Sequence, residues 1–195
     1  MIGNSLPRIP YADAARNLLR ESVLGAVDEL VNAKGWAATS VATVARAAGV
    51  SRQTVYKEFG SRQSIAEAYV MRRLDAALDE VEANMRDNPD LESALQASIS
   101  TFFELVDAPL VQTVLAGGVS SPDLIQLIEI TNRHATERLA ALFKEIRPGI
   151  PDGDAVVFGD TIARVCAAHA FAPTLERDEA TRRVVRLMVV LLAAH

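Results

Sequence analysis

Five polar side chains that can hydrogen-bond to nucleic acid lie within six consecutive residues of the sequence. They are Arg52, Gln53, Thr54, Tyr56 and Lys57. Arginine and glutamine form bidentate hydrogen bonds to guanine and adenine edges, so Arg52 and Gln53 are candidate base readers. Thr54 can contact a thymine methyl group or a phosphate, while Tyr56 and Lys57 are long enough to reach backbone phosphates. This set predicts contact with double-stranded DNA.

Further phosphate contacts are expected where neighbouring helices begin, because the first turn of a helix presents unpaired backbone N–H groups to anions. Thr39 and Ser40 precede one predicted helix, Ser51 precedes the next, and Arg62 stands at the start of a third. These four residues join the candidate DNA contacts. Glu58 is acidic beside the same surface and would repel some phosphates, which leaves the preferred DNA sequence open.

The elements that position these side chains have the pattern of a helix-turn-helix at Val41–Phe59. Gly49 allows the positive φ that ends the first helix and turns the chain. Val55 and Phe59 lie four residues apart and bury the inner face of the second helix. The apolar face of the first helix is formed by Val41, Val44, Ala45 and Ala48. Together with the basic outer face, this pattern favours a helix for the major groove over a hairpin that merely has a polar surface.

The charge distribution supports the same interpretation, although the chain as a whole has a formal net charge of −5. Residues 1–63 hold eight Lys and Arg against five Asp and Glu, a net charge of +3, and the remainder holds twelve against twenty, a net charge of −8. A basic N-terminal part on an acidic body suits a DNA-reading module.

Helical periodicity runs through nearly the whole chain, and strand-like alternation is absent. We therefore predict an all-α protein of about nine helices. Residues 1–60 are expected to form a three-helix DNA-binding domain. Residues 61–195 are expected to form a helical domain for ligand binding and dimerisation, with the seam inside the long fourth helix. The predicted helices cover residues 11–34, 41–47, 52–58, 62–87, 91–106, 109–116, 122–146, 152–172 and 178–194.

Several classes of protein are disfavoured by the sequence. The longest apolar run, Leu187–Ala194, is too short to span a bilayer, and Met1–Tyr11 lacks the apolar centre of a signal peptide, so a cytoplasmic protein with no membrane partner is expected. The single cysteine, Cys166, excludes an internal disulfide and a cysteine-based zinc site, and we expect a buried, inert thiol. No metal or cofactor is predicted. An enzyme is not expected either, because the chain lacks a phosphate loop, a catalytic carboxylate pair and a nucleophile with a suitably spaced histidine.

The N-terminal segments resemble those of the TetR family of repressors. The stretches that carry the resemblance are KGWAATSV at 34–41, ARAAGVSRQTVY at 45–56 and FGSR at 59–62. The resemblance implies a ligand cavity in the C-terminal domain, a homodimer formed by the last two helices, and a repressor that leaves its operator when ligand binds. The chain departs from the family pattern in two places: Lys57-Glu58 replaces an aromatic-histidine pair, and Arg62 stands where lysine is usual.

More narrowly, the chain is similar to actinobacterial TetR regulators found beside alkane-oxidation genes. The similar stretches are SRQTVYKEFGSR at 51–62, AEAYV at 66–70, LAGG at 115–118 and PDLIQL at 122–127. That similarity implies a small lipophilic effector, alkane-like or fatty-acyl.

A set of mainly apolar residues on the middle helices is expected to line the effector cavity, with plain core packing as the alternative for any one of them. Because Arg133 and His169 are among them, the set suits a lipophilic ligand with one polar or carboxylate end. The candidates are Met85, Phe102, Phe103, Val106, Leu110, Val114, Leu115, Leu127, Ile128, Arg133, Ile162, Val165 and His169.

We expect the last two predicted helices to form a partner site, because the final helix carries more apolar surface than one packed face consumes. A two-fold homodimer through these helices matches the two half-sites of a palindromic operator. The apolar residues of the final helix are Val184, Val185, Leu187, Met188, Val190, Leu191 and Leu192.

Two alternative functions remain open for the whole chain: a helical lipid-binding protein, and a small helical enzyme without DNA activity.

Overall fold

A computed structural model describes residues 10–113, 121–171 and 173–193 of the chain. Within these ranges the chain is helical apart from short connections and contains no strand, so the predicted all-α fold is confirmed. None of the described helices is long and apolar enough to cross a membrane. The helices are α1 (Tyr11–Lys34), α2 (Val41–Ala47), α3 (Arg52–Phe59), α4 (Arg62–Asp87), α5 (Leu91–Asp107), α6 (Pro109–Thr113), α7 (Ser121–Ile146), α8 (Asp152–Phe171) and α9 (Arg177–Ala193).

Serine caps determine where the helices of the N-terminal part begin. Ser40 caps α2: its hydroxyl accepts from the backbone N–H of Thr43, whose own hydroxyl accepts from the N–H of Ser40. Ser51 caps α3 by accepting from the N–H of Thr54 at 3.0 Å, and Ser61 acts in the same way before α4. These caps satisfy N–H groups that have no partner inside the helix, which is why the sequence located the helix starts so closely.

The chain divides into two compact units, and the division falls between Tyr69 and Val70, inside α4. In the N-terminal unit, α1, α2, α3 and the first turns of α4 all contribute buried side chains. Tyr69 is almost fully buried, and its hydroxyl donates to the carboxylate of Asp28 in α1. The other large buried side chains of this unit are Val23, Leu24, Val27, Val31, Trp36, Val41, Val44, Val55, Phe59 and Ile65.

The C-terminal unit has a core supplied mainly by α5, α7, α8 and α9. Phe143 of α7 meets Phe158 of α8 edge to face, with ring centroids 6.4 Å apart. The two helices cross closely at Gly159, where a Cβ atom would lie 2.8 Å from the carbonyl oxygen of Thr136. Because backbone atoms cannot yield as a flexible side chain can, glycine is needed at this crossing.

A row of ion pairs joins α4 to α7 in the C-terminal unit. Pairs at or near the surface each stabilise a fold by only about 0–1 kcal/mol, so this row adds little to the stability of the unit. The ion pairs are Arg138–Asp79, Arg138–Glu82 and Arg86–Glu145, with N–O distances of 2.7, 2.7 and 2.8 Å, and a His134–Asp75 hydrogen bond of 2.6 Å extends the row.

Candidate nucleic-acid interface and internal cavity

The second helix of the helix-turn-helix, α3, has one buried face and one open face. Val55 is 0% exposed and Phe59 is 8% exposed, so these two side chains seat the helix on the rest of the unit. Thr54 is half-buried at the side of the helix. The remaining predicted donors are all exposed, and they are Arg52, Gln53, Tyr56 and Lys57. The structure thus brings the five donors onto one helix surface, and their contacts with DNA stay a prediction.

The turn between α2 and α3 fixes the angle between the two helices. Gly49 has φ of +69°, the left-handed conformation that the sequence predicted for it. The N–H of Gly49 donates to the carbonyl of Arg46 at 3.2 Å, and the N–H of Val50 donates to the carbonyl of Ala45 at 2.9 Å. These bonds close α2 and direct the chain into α3.

Thr39 was predicted to contact a phosphate, and the structure shows that its side chain does not reach the surface. It is 1% exposed, and its hydroxyl donates to the carbonyl of Gly35 at 2.9 Å. The prediction that this side chain contacts a phosphate directly is therefore wrong. Ser40 and Ser51 are exposed at the starts of α2 and α3, where their hydroxyls serve as caps, and their phosphate contacts stay predictions.

Arg62 holds the connection between α1 and α2. Its Nε donates to the carbonyl of Thr39 at 2.9 Å, and its Nη2 donates to the carbonyl of Trp36. The guanidinium also lies over the Trp36 ring, 4.2 Å from the centroid. Two of its nitrogens therefore donate to backbone carbonyls of the same chain. Arg62 thus positions the connection between α1 and α2, a role that the sequence did not reveal. Its phosphate contact stays a prediction.

Glu58 is the acidic residue that the sequence left without a role, and it joins α3 to α1. Its carboxylate accepts from Nε of Arg16 at 2.8 and 2.9 Å and from Nη1 of Arg20 at 2.9 Å. Burial raises the pKa of the Glu58 carboxyl, but the hydrogen bonds and positive charges of Arg20 and Arg16 outweigh this effect, and the pKa falls below its usual value. Arg20 also lies over the ring of Phe59, 4.8 Å from its centroid. Glu58 is therefore ionised, and its negative charge is compensated by the two arginines of the same unit.

An internal cavity of about 120 Å³ lies in the C-terminal unit, between α4, α5, α7, α8 and α9. Its wall is almost entirely apolar. Among its polar residues, the Ser98 hydroxyl donates to the carbonyl of Ala94, the Thr131 hydroxyl to that of Leu127, and the Asn132 amide to Asp160. The described lining residues are Leu74, Leu78, Val81, Met85, Leu95, Ser98, Ile99, Phe102, Ile128, Thr131, Asn132, Ala135, Leu139, Leu142, Phe143, Ile162, Ala163, Cys166, Ala167 and Met188.

The predicted lining residues divide between the cavity wall and other positions. Among the described residues, those that line the cavity as predicted are Met85, Phe102, Ile128 and Ile162. Core packing, the alternative interpretation, holds for Phe103, Val106 and Val165. Leu127 is buried and His169 half-buried away from the cavity wall, and Arg133 is exposed, so neither Arg133 nor His169 lines the cavity. The side chain of Leu110 and the residues Val114 and Leu115 lie outside the described residues.

Cys166 lies in the cavity wall and is buried, as the sequence predicted. Burial raises the pKa of its thiol to about 12, so the thiol stays protonated at neutral pH. Within the described ranges, no three His, Cys, Asp or Glu side chains come together as a metal site would require.

The last two helices, α8 and α9, retain part of the apolar surface that the sequence predicted. Val190 of α9 is 60% exposed, and α8 adds Val156 and Val157, which are 51% and 59% exposed. The predicted amount of exposed apolar surface was too large, because part of it packs into the core of the same chain. The buried members are Val184, Val185, Met188 and Leu192.

Comparison with known families gives matches in both units. Residues 23–69 match the family described as bacterial regulatory proteins, tetR family. Residues 90–190 match the bacterial tetracyclin repressor, C-terminal domain. The chain is 39% identical over 194 residues to the HTH-type transcriptional regulator AlkX of Mycobacterium tuberculosis (strain ATCC 25618 / H37Rv), a match that covers 96% of this chain and 92% of the relative.

Solved structures share the fold. The TetR family repressor AlkX from Dietzia sp. strain DQ12-45-1b, implicated in biodegradation of n-alkanes, has a TM-score of 0.76 at 25% identity, over 99% of this chain and 98% of that one. FadR of Thermus thermophilus, solved in complex with lauroyl-CoA, has a TM-score of 0.61 at 17% identity, over 87% and 93% of the two chains. At that identity, the second likeness shows the fold alone.

Proposed function

Because the chain belongs to the TetR family of bacterial transcriptional regulators, we propose that it is a repressor that a small lipophilic effector releases from its operator. The family and the homologues are regulators and not enzymes. DNA binding is assigned to residues 1–60, and effector binding and dimerisation to residues 61–195. Since its target is chromosomal DNA, the proposed place of action is the cytoplasm.

The observation that supports DNA binding most strongly is the surface of α3. The exposed donors Arg52 and Gln53 lie in its first turn, and the exposed Tyr56 and Lys57 follow one turn later. A helix docked with its N-terminal residues toward base edges places the first pair for base reading and the second pair for phosphates. The Ser51 cap determines where this helix begins, and the turn at Gly49 directs the chain into it.

Dimerisation is proposed through α8 and α9, where Val156, Val157 and Val190 expose apolar surface. A two-fold dimer presents two copies of α3 to two half-sites of a palindromic operator.

The proposed effector is alkane-like or fatty-acyl, because the cavity wall is apolar and the similar Dietzia repressor is implicated in n-alkane biodegradation. The cavity of about 120 Å³ is smaller than the roughly 300 Å³ at the lower end of ligand pockets. A long-chain ligand must therefore bind a state in which the wall has moved. A ligand that prefers such a state shifts the population toward it, and DNA is released if that state binds the operator poorly.

α4 is the element that such a movement would involve. Leu74, Leu78, Val81 and Met85 of α4 line the cavity, and the same helix begins in the N-terminal unit. Enlarging the cavity between α4 and α7 would also require their ion-pair row to shift. The proposed coupling therefore runs along one continuous helix.

The proposal is tested by a mobility shift with the DNA immediately upstream of the chain's own gene, against a duplex of unrelated sequence. We expect a sequence-specific complex that hexadecane or palmitate dissociates, with each probe tested separately. A decisive contrary result would be no preference for the upstream DNA at low salt. Mass spectrometry of lipids that co-purify with the native protein then identifies the effector class, and a consistently polar occupant would contradict a lipophilic effector.

A further inference from the structure

The Arg16–Glu58–Arg20 cluster lies beside the surface of α3 that is proposed to enter the major groove. Glu58 follows Thr54 by four residues and therefore lies one turn further along the same side of α3. Glu58 is adjacent in sequence to the exposed Lys57. The side of a helix that lies in the major groove faces a phosphate backbone, because the groove is only about 12 Å wide.

The two arginines of this cluster are engaged differently. Arg20 exposes 36% of its side chain and is held between Glu58 and the Phe59 ring. Arg16 exposes 63% of its side chain, and its hydrogen bonds to Glu58 run through Nε. Within the described residues, no hydrogen bond uses the two Nη groups of Arg16. A guanidinium fixed through Nε retains donors for a second acceptor in the same plane.

The local charge permits an anion at this place. Two guanidinium groups and one carboxylate leave a formal charge of +1, so Glu58 does not make the cluster repulsive to a phosphate. Because the pKa of Glu58 is lowered, the carboxylate remains ionised and continues to orient Arg16 at neutral pH.

We infer that Arg16 of α1 is a further DNA-contacting residue, which Glu58 positions for a hydrogen bond to a backbone phosphate at the side of α3. The inference rests on the proposed DNA-binding function and adds to it a contact from outside the helix-turn-helix. Both arginines precede the segment that matches the family, residues 23–69.

The test compares Arg16→Gln and Glu58→Gln with the unmodified chain, by measuring affinity for the upstream DNA over a range of salt concentrations. Removing one phosphate contact reduces the steepness of log affinity against log salt by about 0.9 per protomer. At 0.1 M salt this corresponds to about an eightfold loss of affinity for each contact. We expect this change for Arg16→Gln. Lys57→Gln is the positive control, and Arg147→Gln, an exposed arginine on the C-terminal unit, is the control for the same charge change.

Glu58→Gln separates positioning from simple electrostatics. Loss of a negative charge near DNA strengthens binding if charge alone matters, whereas loss of the residue that orients Arg16 weakens binding by up to the same eightfold and lowers the salt slope. Circular dichroism and the thermal midpoint establish that each variant is folded. An unchanged slope for Arg16→Gln, beside a reduced slope for Lys57→Gln, would overturn the inference and leave the proposed function intact. No binding by the unmodified chain would overturn both.

Discussion

In the proposed complex with DNA, single residues of α3 make two kinds of contact. Gln53 is exposed in the first turn of the helix and has an amide that matches the hydrogen-bond pattern of adenine. Lys57 is exposed one turn later and carries a point charge without a planar donor pattern. The first is suited to discriminate bases, and the second to attract any phosphate.

This division predicts different behaviour for two substitutions. Gln53→Ala should relax base preference at one position by about 1–3 kcal/mol with an unchanged salt slope, whereas Lys57→Ala should weaken binding to all sequences and reduce the slope by about 1. Affinity measured for a set of operator variants at several salt concentrations checks both effects. If the two variants behaved alike, the assignment of roles would be wrong.

Other residue roles depend on partners that are remote in sequence. The charge of Glu58 was evident, but its pairing with Arg16 spans 42 positions, and Arg62 reaches the Trp36 carbonyl across 26. Sequence patterns identify a side chain's chemistry and its helix face, but the fold decides which remote group meets it. For this reason Thr39, polar and next to a helix start, was mistaken for a phosphate contact although it is buried.

At the level of helices, the sequence was informative because the signals that begin and end a helix are local. The serine caps and Gly49 each act within a few residues, and the described helices agree closely with the predicted ones. The cavity was harder to predict. Adjacent Phe102 and Phe103 have the same chemistry, yet Phe102 lines the cavity and Phe103 packs in the core with Arg177 4.5 Å from its ring centroid. Packing among several helices makes that distinction.

The close crossing of α7 and α8 predicts a cost for a single methyl group. Gly159→Ala places a Cβ 2.8 Å from the Thr136 carbonyl oxygen and should lower the free energy of unfolding by about 1–3 kcal/mol. Gly153→Ala, in the first turn of the same helix with nothing within 4 Å, is the control and should be neutral or stabilising by less than about 1 kcal/mol. Urea unfolding measures both variants. Equal stabilities would show that the crossing has room for a side chain.

The cavity can be filled without changing charge. Ala167 lines it and Ala168 is the exposed neighbour on α8. Ala167→Leu should occupy space that the effector needs, so that palmitate or hexadecane no longer releases DNA, while operator affinity without effector is retained. Ala168→Leu should respond like the unmodified chain. Release measured by fluorescence anisotropy of labelled operator checks this, and full release from Ala167→Leu would place the effector elsewhere.

At the scale of the whole molecule, the proposed two-fold dimer would make operator affinity depend on the C-terminal unit. In that dimer two α3 helices would bind two half-sites, and the second contact would be intramolecular once the first had formed, which raises affinity by about 10²–10⁴. The monomer's surface is compatible with this arrangement, because Val156, Val157 and Val190 are exposed on α8 and α9. The sequence indicated the last two helices and the apolar excess of α9, whereas the exposed valines of α8 emerged from the fold.

Val157→Glu tests the dimer because a charge buried in an apolar interface without a partner is costly. We expect sedimentation to show a monomer and the operator affinity to fall by about 10²–10⁴, with the circular dichroism spectrum unchanged. Ile125→Glu is the matched control, since Ile125 is 60% exposed on α7 and lies outside the proposed interface. A Val157→Glu protein that remained dimeric would move the interface away from this part of α8. A monomer that kept full affinity would instead remove the need for paired half-sites, because each α3 would then bind independently.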